Sequence, residues 1–441
     1  MKNHPLLSKF VTAAFVAAAL LVPLSMIESK ISERQALQQS VQQDIARSSA
    51  GPQTLNGPYL VIRYRVRLHK TQKDKDGNVR VIDFDSEPRE RIIPPDNLKI
   101  EGGAAVKSRH RGIYEARLFE LQSTISGSFN VPVNYGINAP AKDLMVDSAS
   151  LAVGVSDARG ILNAPAVTIN GEAREFSPGS ASMALDNGMH AALPLPDPAQ
   201  QHVLHFEFPL NLMGMSTLAV VPAGSTTRMS LKSAWPHPSF GGDFLPHDAT
   251  VDAGGFTAQW SVTNLAHNAP ALGETQRPGT RETFTVGFID PVNVYLMSER
   301  AVKYGILFVV LVFTAFFMFE TMGGLRIHPL QYALVGLAMA MFFLLLISLS
   351  EHIPFVAAYI AAGTACAALI GTYLAGALRS RKLATAFSAG LGLLYAVLYA
   401  VLKSEDNALL MGALILFAAL AAVMMFTRHT DWYEVAARPA E

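Results

Sequence analysis

The chain is poor in cysteine and has no surplus of either charge: Cys366 is its single thiol, and 35 Lys and Arg balance 35 Asp and Glu over 441 residues. One thiol cannot close an internal disulfide, build a thiolate metal cluster or form a CxxC redox pair. Without excess basic charge there is little to neutralise a phosphate backbone, so a nucleic-acid partner has no support. Catalytic signatures are missing too. The chain contains no HExxH, no Gly-x-Ser-x-Gly, no P-loop and no Ser-x-x-Lys, the motifs that place a zinc, a serine nucleophile or a nucleotide. The sequence gives no positive evidence of catalysis, and it calls for no cofactor and no metal.

Long uncharged runs are what the chain does have: Phe10–Ile27, Tyr304–Phe319, Pro329–Ser350, Ile353–Leu378, Leu383–Leu402 and Asn407–Thr427, none holding an Asp, Glu, Lys, Arg or His. A bilayer core takes roughly 20 apolar residues of helix. Four runs reach that length, Phe10–Ile27 is slightly shorter, and Arg300 with Lys303 can snorkel to extend Tyr304–Phe319. The lipid bilayer is therefore the first partner. Pro23 and the lack of a small-x-small cleavage site favour an uncleaved anchor over a signal peptide at the front. The absence of intramembrane charge disfavours a proton-coupled carrier, and Gln331, Thr364, Tyr373, Tyr395 and Tyr399 are expected to bond between helices, with the lining of a polar path as the alternative.

Orientation follows from cations in short loops. With the N-terminus in the cytoplasm, Lys2, Lys9, Arg326, Arg379, Arg381, Lys382, Arg428 and Arg438 lie inside, and of the short outer loops only Lys403 is positive. The expected division is a cytoplasmic N-terminus and anchor (1–28), a stalk helix and linker (29–57), a large outer domain (58–299), a five-helix membrane bundle (300–428) and a cytoplasmic tail (429–441). In the stalk, Ser32 and Gln35 suit a capping box, and Leu37, Val41 and Ile45 form a narrow stripe. A spacer is the preferred reading there, packing against a neighbour the other. Gly363, Ala367, Gly371 and Ala375, with Ser388, Gly392, Ala396 and Ala400, form small-residue stripes for close helix packing. Trp432 and Tyr433 suit interfacial anchors.

From Pro58 to Pro291 the hydrophobic period is two, as in "YLVIRYRVRL" from Tyr59 and "HVLHFEFPL" from His202. About eleven short strands, broken by turn residues such as Asp76-Gly77-Asn78, predict an all-β, sandwich-like domain. Arg111-Gly112-Ile113 and Arg159-Gly160-Ile161 echo each other, too briefly to establish a duplication.

Three constellations are candidates for function. Glu351 and His352 in one short turn, and Glu405 and Asp406 in another, gather charge at the outer rim; they offer a docking surface, a metal or proton-sensing pair, or ordinary loop polarity. "SAWPHPSFGGDFLPHD", Ser233–Asp248, carries Trp235, His237, Asp243, His247 and Asp248; its prolines and glycines predict a rigid ordered loop, with a metal site on His237, Asp243, His247 and Asp248 as the minor alternative.

The segments "GPYLVIRY", "SRHRGIYEARLF", "VGVSDARGI", "WPHPSFGGDFLP", "DPVNVYLMSERAVKYGILFVVLVFTAFFMFE", "IHPLQYALVGLAMAMFFLLLISLSEHIPFVAAY" and "DWY" resemble the inner membrane protein CreD family of bacteria over nearly the whole chain. The resemblance implies a multi-pass inner-membrane protein with a periplasmic domain, linked to envelope integrity, colicin tolerance and β-lactam responses, with no catalytic residues. Its marked positions fall on Arg111, Gly112, Asp157, Gly160, Trp235, His237, Pro238, Phe240, Glu320, His328, Pro329, Gln331, Tyr332, Ser350, Glu351 and His352. Non-enzymatic docking on an envelope protein partner is the leading expectation, with transport or lipid handling as the alternative and self-association left open.

Overall fold

The computed structural model of the chain describes residues 5–73, 79–185, 187–266, 282–290, 293–323, 327–377, 380–404 and 408–428. Chain contacts divide it into a helical unit, Met1–Gln39 with Val292–Glu441, and a β unit, Ser40–Pro291.

The apolar runs fold as helices α1 (Pro5–Ala19), α2 (Leu21–Ser48), α3 (Val294–Gly323), α4 (Pro329–Ser350), α5 (Phe355–Ala377), α6 (Arg381–Lys403) and α7 (Ala408–Thr427). Five stretches are long and apolar enough to cross a membrane: Phe10–Ser48, Val294–Met318, Pro329–Ser350, Phe355–Ala377 and Arg381–Lys403. The sixth expected span is a shorter apolar helix, Leu410–Met425, among the described residues. The helix breaks at Leu20 because Pro23 has no N–H for the carbonyl of Ala19 and its ring crowds that oxygen. The separate stalk helix is not formed. Ser32 and Gln35 lie inside α2, and Glu28-Ser29-Lys30 contains no residue that would end a helix.

A true capping box opens α4. The His328 ring accepts the Leu330 N–H (3.2 Å) and the Gln331 carboxamide accepts the His328 N–H (3.0 Å), with Pro329 at the first helical position. The charge-free run Tyr304–Phe319 is only part of α3, which continues to Gly323 and buries Glu320. That carboxylate accepts the Tyr332 hydroxyl (3.0 Å) and the Ile327 N–H (3.4 Å).

Between α5 and α6 the small-residue expectation holds on one side only. Gly371 backs onto Ser388, where a Cβ would overlap the Ser388 hydroxyl. Gly392, Ala396 and Ala400 are exposed, and Ala384, Phe387, Leu391, Tyr395 and Leu398 are buried instead. Large side chains make more dispersion contacts than alanine does, and they take the buried face of α6, with Phe387 on Phe316 of α3 (4.6 Å between rings) and Tyr395 on Phe342 of α4 (4.4 Å). Tyr359 donates to the Tyr395 carbonyl (2.8 Å), and the Tyr395 hydroxyl lies 3.2 Å from Cys366 Sγ, itself 3.1 Å from the Ala338 carbonyl. Thr364 bonds back to Ile360 of its own helix (2.7 Å), not to a neighbour.

The β unit has seventeen strands among its described residues. The first are β1 (Gln53–Lys73), β2 (Val79–Asp85), β3 (Arg89–Ile93), β4 (Asn97–Arg111), β5 (Tyr114–Val131) and β6 (Leu144–Val155). Then come β7 (Ala166–Ile169), β8 (Glu172–Glu175), β9 (Ser177–Pro178), β10 (Gly188–Leu193), β11 (His202–Met215) and β12 (Thr217–Val220). The last are β13 (Thr226–Ser233), β14 (Pro238–Gly242), β15 (Asp248–Asp252), β16 (Gly255–Thr263) and β17 (Phe284–Phe288). One sheet runs β14-β17-β12-β1-β6-β10-β9, with β2 and β3 also on β1; the other runs β15-β16-β13-β4-β5-β11-β7-β8.

Their inner faces share one core, giving the expected sandwich. Phe119 meets Phe288 across the sheets (5.1 Å between rings) and Trp260 stacks on Phe284 (6.0 Å). Alternation along β4 and β5 supplies one buried and one outward row each.

Several sequence expectations change here. The β fold starts at Gln53, not Pro58, because Gln53–Leu55 pairs in parallel with β12. Not all strands are short: β5 runs unbroken over the 18 residues Tyr114–Val131. Ser233–Asp248 is not all loop: Pro238–Gly242 is an edge strand on β17, with its proline at the first position, where a missing N–H is tolerated. Gly112-Ile113 makes the β4–β5 hairpin turn, whereas Arg159-Gly160 ends a 3₁₀ turn, Ala158–Gly160, so the echo is not a duplicated hairpin. The turn Asp76-Gly77-Asn78 and the anchors Trp432 and Tyr433 lie outside the described residues.

Candidate functional site

The last two turns of α2 belong to the β unit and pack on it. Val41, Ile45 and Ala46 sit against Ala116, Leu118, Met213 and Met215. The spacer reading of this stretch is thereby corrected: two of the three stripe residues, Val41 and Ile45, form an adhesive face. Polar contacts fix the register. Gln42 donates to the Glu115 carbonyl (3.4 Å), and Arg111 Nη1 reaches Asp44 Oδ2 (3.2 Å).

The helix end is then capped from a second direction. Arg159 donates through Nη1 to the Arg47 carbonyl and through Nη2 to the Ala46 carbonyl (3.5 Å). The last carbonyls of a helix lack intrahelical donors and carry the negative end of its dipole, so a guanidinium suits them. Asp157 aims that guanidinium, accepting from Arg159 Nε (2.9 Å) and Nη2 (2.6 Å). The Arg159 hydrogen bonds hold the Asp157 carboxyl below its ordinary value, helped by the Gly51 N–H.

Behind this pair lies Gln53, fully buried. Its Nε2 donates to the carbonyls of Asp157 (2.9 Å) and Met213 (3.0 Å), and its Oε1 accepts from the Asp157 N–H and the Ser156 hydroxyl (both 3.2 Å). Gly160 packs on that amide. A Cβ there would overlap Gln53 Nε2 and the Met213 carbonyl oxygen. Gly112, at φ +65°, turns the β4–β5 hairpin beside Arg111. Thus Arg111, Gly112, Asp157 and Gly160 converge on one task, holding the end of α2. Asp44, Gln53 and Arg159 complete the set; the local signal for Arg159 was the Asp157-Ala158-Arg159 spacing, and nothing in the sequence marked Gln53.

Trp235 and His237 build a different corner of the β unit. The Trp235 indole donates to the His237 carbonyl (2.9 Å), and its ring carries the Arg117 guanidinium at 5.1 Å. Arg117 also reaches Asp290 (2.8 Å) and Glu115 (2.7 Å). Asp243 accepts the Thr283 N–H (2.9 Å), so it braces a loop. No group of three or more His, Cys, Asp or Glu that could hold a metal ion occurs among the described residues. His237, Asp243, His247 and Asp248 therefore do not come together as a metal site.

In the helical unit, Glu351 ends α4 and joins three helices. Its side chain is 9% exposed, lies 3.7 Å from Arg34 Nε of α2, and accepts the hydroxyl of Tyr295 of α3 (3.3 Å). Arg34 is about half exposed, so the ion pair itself is weak and geometry is its main product. His352, next in the chain, is exposed. Glu405 and Asp406 lie outside the described residues. The rim thus places one expected residue inward and its neighbour outward.

The family model described as Inner membrane protein CreD matches residues 5–433. The Inner membrane protein CreD of Escherichia coli (strain K12) is 36% identical over 439 residues, covering 98% of this chain and 95% of that protein. Among solved structures, an M1 zinc metallopeptidase from Deinococcus radiodurans overlaps 45% of this chain and 42% of its own, at 10% identity and a TM-score of 0.21. A likeness that weak carries no argument about fold or activity. The full-length family match, with several apolar helices and a β-sandwich unit, gives one conclusion: the chain belongs to the CreD family of inner membrane proteins.

Proposed function

We propose that this membrane protein is non-enzymatic, with its β unit in the periplasm and both termini in the cytoplasm. Its role is to support envelope integrity and tolerance of colicins and β-lactams by docking an envelope protein at the rim around Glu351 and His352. The orientation rests on the eight inner cations set against Lys403 outside. One observation carries the docking role: Glu351 is taken up by Arg34 and Tyr295, which holds the α4–α5 turn in one shape, while His352 beside it stays exposed. A rigid, partly charged turn is a suitable contact surface, because little ordering remains to be done on binding. The transport or lipid-handling reading draws less support, since Tyr359, Tyr395 and Cys366 close directly on one another between α5 and α6.

The test uses full-length protein in its native membrane with a photo-crosslinking residue at position 352. A discrete adduct with an envelope protein is expected, lost on Glu351→Ala, together with reduced survival under colicin or β-lactam for His352→Ala. Recovery of uncrosslinked protein alone, with unchanged survival, would overturn the reading. A reporter fused near residue 150 that is active only outside the cytoplasm checks the orientation.

A further inference from the structure

The outer face of the eight-stranded sheet carries a hollow of about 670 Å³ where β15, β16, β13, β4 and β5 cross. Register explains its shape. Thr250, Thr257, Lys232, Gly103 and Gln122 occupy one continuous cross-strand row. The parallel row two residues along contains Ala105 and Glu120. The floor of the hollow is thus Gly103 and Ala105, with Lys232 on one bank and Gln122 and Glu120 on the other.

Gly103 has no structural reason to be glycine. Its φ is not positive, β4 pairs with β5 through it without a register shift, and a Cβ would come no closer than 3.8 Å to the Lys232 carbonyl oxygen. A glycine inside a strand weakens the strand, and it ordinarily marks a bulge, a sharp bend or a close approach by something else. With regular pairing on both sides, close approach is the explanation left. The neighbouring Gly102 is different, because a Cβ there would meet the Gln122 carbonyl and Ser123.

Charge supplies the chemistry. Lys232 is exposed and has no ion-pair or hydrogen-bond partner for its ammonium among the described residues. Glu120 spends Oε2 on Lys107 (2.6 Å), which leaves its other oxygen for a ligand. Two strand spacings and two residues separate the backbones of Lys232 and Glu120, about 12 Å by standard sheet dimensions. An extended chain of three or four residues covers roughly that distance, and the hollow's volume falls in the range of small-ligand sites.

We propose that the hollow binds a short peptide with free ends: its terminal carboxylate on Lys232, its backbone across Gly103 and Ala105 beside the Gln122 amide, and its terminal ammonium toward Glu120. The site is independent of docking at the Glu351–His352 rim. The experiment is calorimetric titration of the full-length protein in lipid nanodiscs with tetra-alanine and with acetyl-tetra-alanine-amide. Saturable binding of the free peptide is expected, weakened at least about tenfold by blocking its ends, by Lys232→Met or by Glu120→Gln. Gly103→Val abolishes binding while the melting temperature stays level or rises, because valine suits an open strand position better than glycine. A ligand-free packing role for Gly103 would give the opposite pattern. Absence of saturable binding by tetra-alanine, equal binding of the blocked peptide, or unchanged affinity in Gly103→Val would each overturn the proposal.

Discussion

Replacing Gly160 by alanine tests how the end of α2 is held. The added Cβ overlaps Gln53 Nε2 and the Met213 carbonyl oxygen. Backbone cannot yield easily there, because Met213 pairs with Glu120 in the β11–β5 ladder. The Gln53 amide must give way, and four hydrogen bonds depend on it. Overpacking typically costs about 1–3 kcal/mol, and a buried amide that loses partners costs about 1–3 kcal/mol more. A loss of about 3 kcal/mol is a moderate expectation. In a domain of this size it lowers the melting temperature by roughly 6–12 °C. Intrinsic fluorescence of detergent-purified full-length protein is a suitable assay, because Trp235 and Trp260 both lie in the β unit. Gly112→Ala is the control: φ is +65° there but nothing lies within 4 Å, so only backbone strain of about 1–2 kcal/mol is added. If Gly160→Ala melts within a degree of the unaltered protein, the Gln53 network does not hold the helix end, and the assignment of Arg159 and Asp157 to that task fails with it.

Other outcomes follow from single contacts. His69 bridges Asp83 (2.7 Å) and Asp143 (3.1 Å), and those hydrogen bonds raise its pKa above the ordinary histidine value. The resulting stabilisation of the β1–β2 hairpin is complete below the unfolded pKa and is lost as pH rises through the raised folded one; hydrogen exchange corrected for intrinsic rate will show hairpin protection falling across that window, and the trend vanishes in His69→Gln. Asp157, whose pKa is lowered chiefly by Arg159, contributes in the reverse sense: its share of the α2 clamp is present above the unfolded carboxyl pKa and disappears as pH falls through the depressed folded value. Amides 45–48, corrected for intrinsic exchange rate, should therefore lose protection as pH falls, and Asp157→Asn should remove that dependence. Tyr332→Phe strips one donor from buried Glu320, a loss of about 1.5–3 kcal/mol for a bond to a charged acceptor, measurable as earlier thermal loss of the purified protein; unchanged stability would show that the carboxylate relies on other partners.

Much of the candidate site was unreadable from the chain for a definable reason. Trp235 and His237 stood out as rare residue types in a stretch expected to be a rigid ordered loop, but only folding shows what they order: a hydrogen-bonded corner over Arg117. Glu351 was visible as a charge in a turn, but its burial depends on Arg34 and Tyr295, which lie far away in sequence. The bundle seam was misjudged on α6 because the spacing of small residues states what a face permits, and the neighbouring helices selected Phe387, Leu391 and Tyr395.

By itself the sequence settled the solvent and the period of each segment. Spanning length, absence of charge and two-residue alternation are sums over neighbouring residues, so the apolar helices and the β-rich unit were legible without knowing any partner. Tertiary structure alone decided who meets whom: Asp44 with Arg111, the end of α2 with Arg159, Gln53 with Gly160, and the alignment of Lys232, Gly103 and Gln122 in one row. Those pairings follow from strand register and chain closure over long sequence separations, where one residue of slip turns every side chain to the opposite face.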